Sequence, residues 1–222
     1  MPMVVVIVPA YNEEQNIGSV IRDLFQIVDK VVVVDDGSKD ETAKIAENSG
    51  ATVLKHFINR GQGAALQTGH DFAKNIGADF VVHFDGDAQF KAEDILLALE
   101  KIKSNNADIL FGSRFLEKKS KIPFAKKYVV LPIAKSVSTF FGSVRLTDAH
   151  NGFRILSKNA LDKIVITQDR MAHATEIPAL VKKHELSFVE FPVNVVYREY
   201  GQSFFSGFRV VSDLFFGKFL NR

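Results

Sequence analysis

The chain of 222 residues is 46% hydrophobic and 24% charged, with a formal net charge of +2, a balance ordinary for a soluble globular domain and too weakly basic to suggest a nucleic-acid binder. Cysteine is absent, which excludes disulfides, thiolate metal sites and a thiol nucleophile and is compatible with a reducing compartment. No uninterrupted apolar stretch approaches the roughly 20 residues needed to span a bilayer, and Met1 to Pro9 lacks the basic region and cleavage site of a signal peptide.

Met3 to Pro9 is a continuous β-branched run, the mark of a central parallel strand. Asn12 reads as a helix cap with Gln15 as its reciprocal partner. The helix that follows buries Ile17, Val20, Ile21, Leu24 and Val28, which recur at helical spacing. Val31 to Val34 is a second strand, ending in Asp35-Asp36-Gly37-Ser38. Ser38 and Glu41 repeat the capping-box pattern and open a helix to about Ser49. Thr52 to Lys55 is a short third strand. Asn59-Arg60-Gly61-Gln62-Gly63 then leads into an Ala- and Leu-rich helix ending near Gly77.

Phe80 to Phe84 reads as a buried strand that runs into Asp85-Gly86-Asp87-Ala88-Gln89. Parallel sheets place ligands at the carboxyl ends of their strands. Two carboxylates and an amide at alternating positions can point at one hard cation, Mg²⁺ or Mn²⁺. An Asp-x-Asp pair alone also fits a polar loop that merely ends a strand. A helix from about Ala92 to Lys103 follows, then a strand from Ala107 to Phe111 ending in Gly112-Ser113-Arg114. Repeated strand–helix units predict an α/β layer structure, a mostly parallel sheet sandwiched by helices. The motifs gather at one edge of it. A single domain over 1–222 is expected, its first half (1–114) suited to a nucleotide and a metal and its second half (115–222) to the acceptor.

The character changes after Arg114. Lys118, Lys119, Lys121, Lys126, Lys127 and Lys135 stand against the single acid Glu117, interleaved with apolar residues, and the last segment carries Phe204, Phe205, Phe208, Phe215, Phe216 and Phe219. Segments near 118–141 and 203–220 are therefore candidate amphipathic helices for a membrane interface. Packing on the sheet, or assembly into a homo-oligomer through the Phe side chains, is the alternative.

Asp35 and Asp36 are nucleotide-side candidates, since strand-end carboxylates accept hydrogen bonds from ribose or base; turn and capping chemistry explains them too. Gly61 and Gly63 allow close backbone approach at the positive end of a helix. Arg114 is suited to clamp an anion. The six histidines show no metal-ligand spacing.

Taken in order, Pro9-Ala10-Tyr11-Asn12-Glu13, Val34-Asp35-Asp36-Gly37-Ser38, Asn59-x-Gly61-x-Gly63, Asp85-x-Asp87-x-Gln89, Gly112-Ser113-Arg114 and Asp148-x-x-Asn151-Gly152-Phe153-Arg154 resemble the GT-A glycosyltransferases of family 2. The set is most similar to the dolichol-phosphate mannose synthase branch. The resemblance implies a Rossmann-like GT-A fold in which Pro9, Tyr11, Glu13 and Asp36 hold the nucleotide, with Asp35, Gly61, Asp85 and Gly86 completing the donor site. It gives Asp85, Asp87 and Gln89 to the metal and turns Arg114 to the acceptor phosphate. Lys126 and Lys127 stand where a second clamp is expected, and Arg198 and Ser203 where the donor diphosphate is flanked.

The implied reaction is inverting transfer of a sugar from a nucleotide diphosphate sugar, GDP-mannose first and UDP-glucose next, to a dolichyl or undecaprenyl phosphate. Such an enzyme is expected peripherally on the cytoplasmic face of a membrane, alone, as a homo-oligomer or with a membrane-protein partner. An ionised phosphate needs no general base. A sugar hydroxyl in cell-surface polysaccharide synthesis would need one, and Asp148 or Glu176 would then supply it. A non-catalytic signalling or nucleotide-binding domain is the remote alternative.

Overall fold

A computed structural model of the chain describes residues 2–116 and 144–195. The expectations for Lys126, Lys127, Arg198, Ser203 and the segments 118–141 and 203–220 lie outside the described residues. The elements run β1 (Val4–Ala10), α1 (Ile17–Phe25), β2 (Lys30–Asp35), α2 (Thr42–Asn48), β3 (Thr52–Lys55), α3 (Gln62–Asn75), β4 (Phe80–His83), α4 (Asp94–Ser104) and β5 (Ile109–Ser113). After them come β6 (Arg154–Ser157), α5 (Lys158–Lys163), α6 (His173–Lys183) and β7 (Phe188–Pro192).

Among the described residues the strands form one seven-stranded sheet in the order β3-β2-β1-β4-β6-β5-β7. All pairings are parallel except those of β6, which runs antiparallel between β4 and β5. The sheet is covered on both faces because successive residues of each apolar strand point to opposite sides. Val6, Val8, Val31, Val33 and Val82 pack under α1, α2 and α4 with Ile17, Ile21, Leu24, Ala46, Ile95 and Ile102. Val5, Ile7, Val32, Val34 and Val81 pack on the other face with Leu66 of α3, Leu161 of α5 and Ile177 and Val181 of α6. The carboxyl ends of β1, β2, β4 and β5 thus fall on one edge, and β6 begins there.

Two cap signals resolve differently. α1 starts at Ile17, not beside Asn12, and neither α1 nor α2 has a side-chain cap. Asn12 lies in the left-handed region, at φ 55°. Its amide donates to Ser38 Oγ at 2.9 Å and its Oδ1 accepts from Lys39 N at 2.9 Å. Glu41 N donates to Glu14 Oε2 at 3.1 Å. The two loops lie side by side on the sheet edge, so their cap-forming residues bond each other instead of their own helices. Beyond the strand at Ala107 to Phe111 the sequence signals no further strand, and the described residues contain two. β6 opens on a buried arginine, and β7 is a half-exposed edge strand ending in proline, so neither shows the clean apolar run of a central strand.

Candidate active site

The end of β2 supplies two buried carboxylates with different duties. Asp36, 3% exposed, accepts from Arg60 N at 2.9 Å, Gly61 N at 2.6 Å and the His56 ring Nδ1 at 2.7 Å. It is committed to holding the loop between β3 and α3. Asp35 accepts from Ser38 N at 3.3 Å, a single long bond that leaves it the carboxylate of the pair with acceptor capacity. Tyr11 is exposed on the loop after β1 and Pro9 is half-buried within the strand. Glu13 is tied down at its backbone, donating to Thr42 Oγ1 at 2.7 Å, and its Oε2 accepts from Asn16 Nδ2 at 3.0 Å.

The glycines opening α3 are approached by the protein's own chain. Ala64 N donates to Asp169 O at 3.0 Å, and a side chain on Gly63 would overlap the Gln168 carbonyl oxygen. The positive end of α3 is therefore covered by 168–170. The close approach foreseen at Gly61 and Gly63 exists, and its partner is internal.

Beyond β4, Asp85 and Asp87 are both half-buried. Gln62 Nε2 donates to Asp85 Oδ1 at 2.9 Å. On the other side the Asp85 carboxylate rests directly on Gly152, leaving no room for a Cβ there. Burial first, then the charge of Asp87 and more weakly that of Glu13, pushes the Asp85 carboxyl up to about 6, with Arg154 and Gln62 pulling the other way. Burial also raises Asp87, whose Oδ1 accepts from Gln89 N at 3.1 Å. The residue between them, Ala88, has φ 59°, a conformation that costs a non-glycine residue about 1 kcal/mol or more. Gly86 meets only ordinary contacts, the nearest being Pro9 O and Val8 Cγ1 at 3.5 Å.

These oxygen donors fit a hard divalent cation. Two carboxylates of like charge, both raised in pKa, gain from a cation between them. Among the described residues no three His, Asp or Glu side chains are grouped so as to hold a metal ion by themselves.

Beyond β5, Arg114 and Asp148 form a bidentate pair, with Nε–Oδ2 at 2.6 Å and Nη2–Oδ1 at 2.8 Å. Asp148 is brought there by a polar stitch in which Ser113 Oγ and Thr147 Oγ1 lie 2.6 Å apart and Thr147 N donates to Glu190 Oε1 at 2.7 Å. Glu176 stands in the first turn of α6 and binds Thr167 and Gln168, accepting from Thr167 N at 3.0 Å and Gln168 N at 3.0 Å. It is thus engaged by the loop before its own helix.

Gln62, Gly152 and Arg154 bear on Asp85; none of them is given a role by the sequence alone, although Gly152 and Arg154 stand in the motif that begins at Asp148. Their signals are modest: a glutamine inside a glycine pair, and an arginine opening an otherwise apolar strand. His70 and His83 stack in the core with their Nε2 atoms 2.7 Å apart, a structural pair. A groove of about 610 Å³ between α4 and β7 shares no lining residue with these clusters.

The family described as glycosyl transferase family 2 matches residues 5–165. A UDP-N-acetylglucosamine–dolichyl-phosphate N-acetylglucosaminyltransferase of Methanococcus voltae is 32% identical, over 94% of this chain and 93% of that protein. A polyprenol monophosphomannose synthase of Mycolicibacterium smegmatis is 27% identical, over 95% and 83%. Among solved structures, the glucosyl-3-phosphoglycerate synthase of Mycobacterium tuberculosis with Mn²⁺ and UDP-glucose superposes with a TM-score of 0.73 at 17% identity, covering 96% of this chain and 77% of that one. At that identity the likeness shows the shared fold, and it bears out the GT-A sheet expected from the sequence.

Proposed function

The chain belongs to glycosyl transferase family 2, and from that premise we propose that it transfers a hexose or N-acetylhexosamine from a nucleotide diphosphate sugar to a polyprenyl phosphate. The observation that carries this reading is that both carboxylates suited to serve as a base are engaged. Asp148 is gripped by Arg114 and Glu176 by Thr167 and Gln168. A hydroxyl acceptor would need such a base. A phosphate monoester is already largely ionised at neutral pH and needs orientation only. The names of the Methanococcus and Mycolicibacterium relatives point to the same acceptor class.

In this reading the acceptor phosphate oxygen attacks the anomeric carbon from the side opposite the diphosphate. One C–O bond forms as another breaks, the nucleoside diphosphate leaves with the electron pair, and the configuration inverts. Asp148 holds the Arg114 guanidinium towards the incoming phosphate. Pro9, Tyr11, Glu13 and Asp35 line the donor side, while Asp36 and Gly61 shape it from behind. Asp85, Asp87 and Gln89 would hold Mg²⁺ or Mn²⁺, which when bound stabilises the charge developing on the leaving diphosphate. Lys126, Lys127, Arg198 and Ser203 remain the further phosphate-binding candidates. The acceptor is a lipid, so the protein would work at a membrane surface, on its cytoplasmic face. Among the described residues no helix is long and apolar enough to cross one.

For the donor, UDP-N-acetylglucosamine stands beside GDP-mannose and UDP-glucose, given the name of the 32%-identical relative. Thermal stabilisation by UDP and GDP, with and without Mn²⁺, tests the site. A metal-dependent shift with one nucleotide, lost in Asp87→Ala, is expected. No shift with either nucleotide in the presence of metal would overturn the reading.

A further inference from the structure

β6 runs against its neighbours, so its first residue reaches the edge where theirs end. Arg154 stands in register with His83 of β4 and Phe111 of β5. It therefore lies between the stretch that continues from β4 to Asp85 and the stretch that continues from β5 to Arg114. The residue is 1% exposed. Its Nε has no hydrogen-bond partner among the described residues, and Nη2 reaches only Ala149 O at 3.5 Å. A guanidinium buried with so little hydrogen bonding is costly unless nearby anions compensate it. Asp85 and Asp148 are the two anions whose charge acts on it. His83, His150 and His173 face the same group, and burial drives all three rings towards the neutral form. At 1% exposure the side chain presents almost no surface to a ligand.

We infer that Arg154 is a positioning residue, its buried charge holding Asp85 on the donor side and Asp148 on the acceptor side in one fixed frame. Asp85 is hydrogen-bonded by the Gln62 amide, packed on the Gly152 backbone and drawn by the charge of this cation. Asp148 in turn fixes the direction of Arg114. The inference rests on the reading of Asp85 as a donor-site carboxylate.

A double-mutant cycle tests it, because a residue that acts through another loses its effect when that other is removed. Arg154→Met is expected to lower kcat/KM about 100-fold in the otherwise native chain and less than about fivefold in an Asp85→Asn background, a coupling within the range seen for interacting residues. Nucleotide-dependent thermal stabilisation, which needs no turnover, should show the same non-additivity. Arg154→Lys, which keeps the charge, should recover at least tenfold of the lost rate; if Arg154→Met does not fold, Arg154→Gln, which also removes the charge, carries the same cycle. Equal losses in both backgrounds would reduce Arg154 to a general structural role and overturn the inference. A wild-type protein that neither binds nucleotide nor transfers sugar would instead sink the functional reading, and this inference with it.

Discussion

Arg114 and Asp148 are locked as a fork, with Nε–Oδ2 at 2.6 Å, Nη2–Oδ1 at 2.8 Å and the Arg114 backbone amide on the same Oδ2 at 3.2 Å. The Asp148 side chain is only 3% exposed, against 25% for Arg114. The carboxylate thus orients the guanidinium, and of the two side chains the arginine is the more exposed. Asp148→Asn removes the charge-assisted half of the fork, worth about 1.5–3 kcal/mol. A loss of roughly 10- to 100-fold in kcat/KM is expected, seen mainly in the acceptor KM, with the acid limb of the pH–rate profile unmoved. A collapse of kcat together with loss of that limb would make Asp148 a base.

Glu176 is predicted to matter for stability more than for rate. Its carboxylate gathers Thr167 N, Thr167 Oγ1 and Gln168 N. Glu176→Ala frees these donors in a partly exposed loop, a cost of about 1–2 kcal/mol. For a chain of this size that lowers Tm by roughly 3–6 °C. The turnover number should stay within about threefold of wild type. An unchanged Tm with abolished turnover would restore Glu176 as a catalytic candidate.

Three of the glycines around the site, Gly63, Gly86 and Gly152, are predicted to respond differently to alanine. Gly63→Ala drives a methyl group into the Gln168 carbonyl and should destabilise the fold by about 1–3 kcal/mol. Gly152→Ala pushes instead on the Asp85 carboxylate, so the donor KM should rise at least tenfold with a smaller change in Tm. Gly86→Ala, between the two aspartates, finds nothing nearer than 3.5 Å and should be nearly silent in both. Melting curves and donor titrations on the three variants separate these outcomes. A silent Gly152→Ala would contradict the packing of Asp85 on Gly152.

The first half of the fold was legible because its strands are apolar on both faces. Thr52–Lys55 is a strand as read, and Ile17, Val20, Ile21, Leu24 and Val28 are all buried. Capping signals were misleading where two loops pair across the sheet edge, since Asn12 and Ser38 find each other before they find a helix terminus. α6 was hidden by Pro178 within it, and β6 by its leading arginine. The site followed the same division. Asp85 and Asp87 were visible as strand-end residues, whereas the grip of Arg114 on Asp148 joins residues 34 apart in sequence, which no local pattern reports.

Acid should weaken the fold. Burial lowers the His70 ring to about 3 and His173 to about 4, and takes His83 in the same direction, from an ordinary value of 6.5. The unfolded chain protonates these rings as pH falls through about 6.5 while the folded chain resists, so the stability they contribute is complete above 6.5 and is lost on going down towards 4. Each costs about 1.4 kcal/mol per pH unit in that window. Asp85, raised from 3.8 to about 6, acts in the opposite sense, favouring the fold below 6, and burial raises Asp87 and Asp94 in the same direction, but four rings lowered by burial, His150 included, stand against them. Tm measured without metal should fall steadily from pH 6.5 to 4.5, and His70→Leu should flatten the fall. A Tm that rises or stays level over that range would contradict the neutral histidine core.

The most direct test of the central claim is acceptor choice. The protein is incubated with Mn²⁺ and radiolabelled UDP-N-acetylglucosamine, UDP-glucose or GDP-mannose, and offered polyprenyl phosphate, the matching polyprenol or a free sugar. Label carried by one donor into the organic phase with polyprenyl phosphate, and not with polyprenol, is the result predicted for an acceptor that needs orientation and no base. Transfer to the sugar hydroxyl, with none to the lipid phosphate, would contradict it.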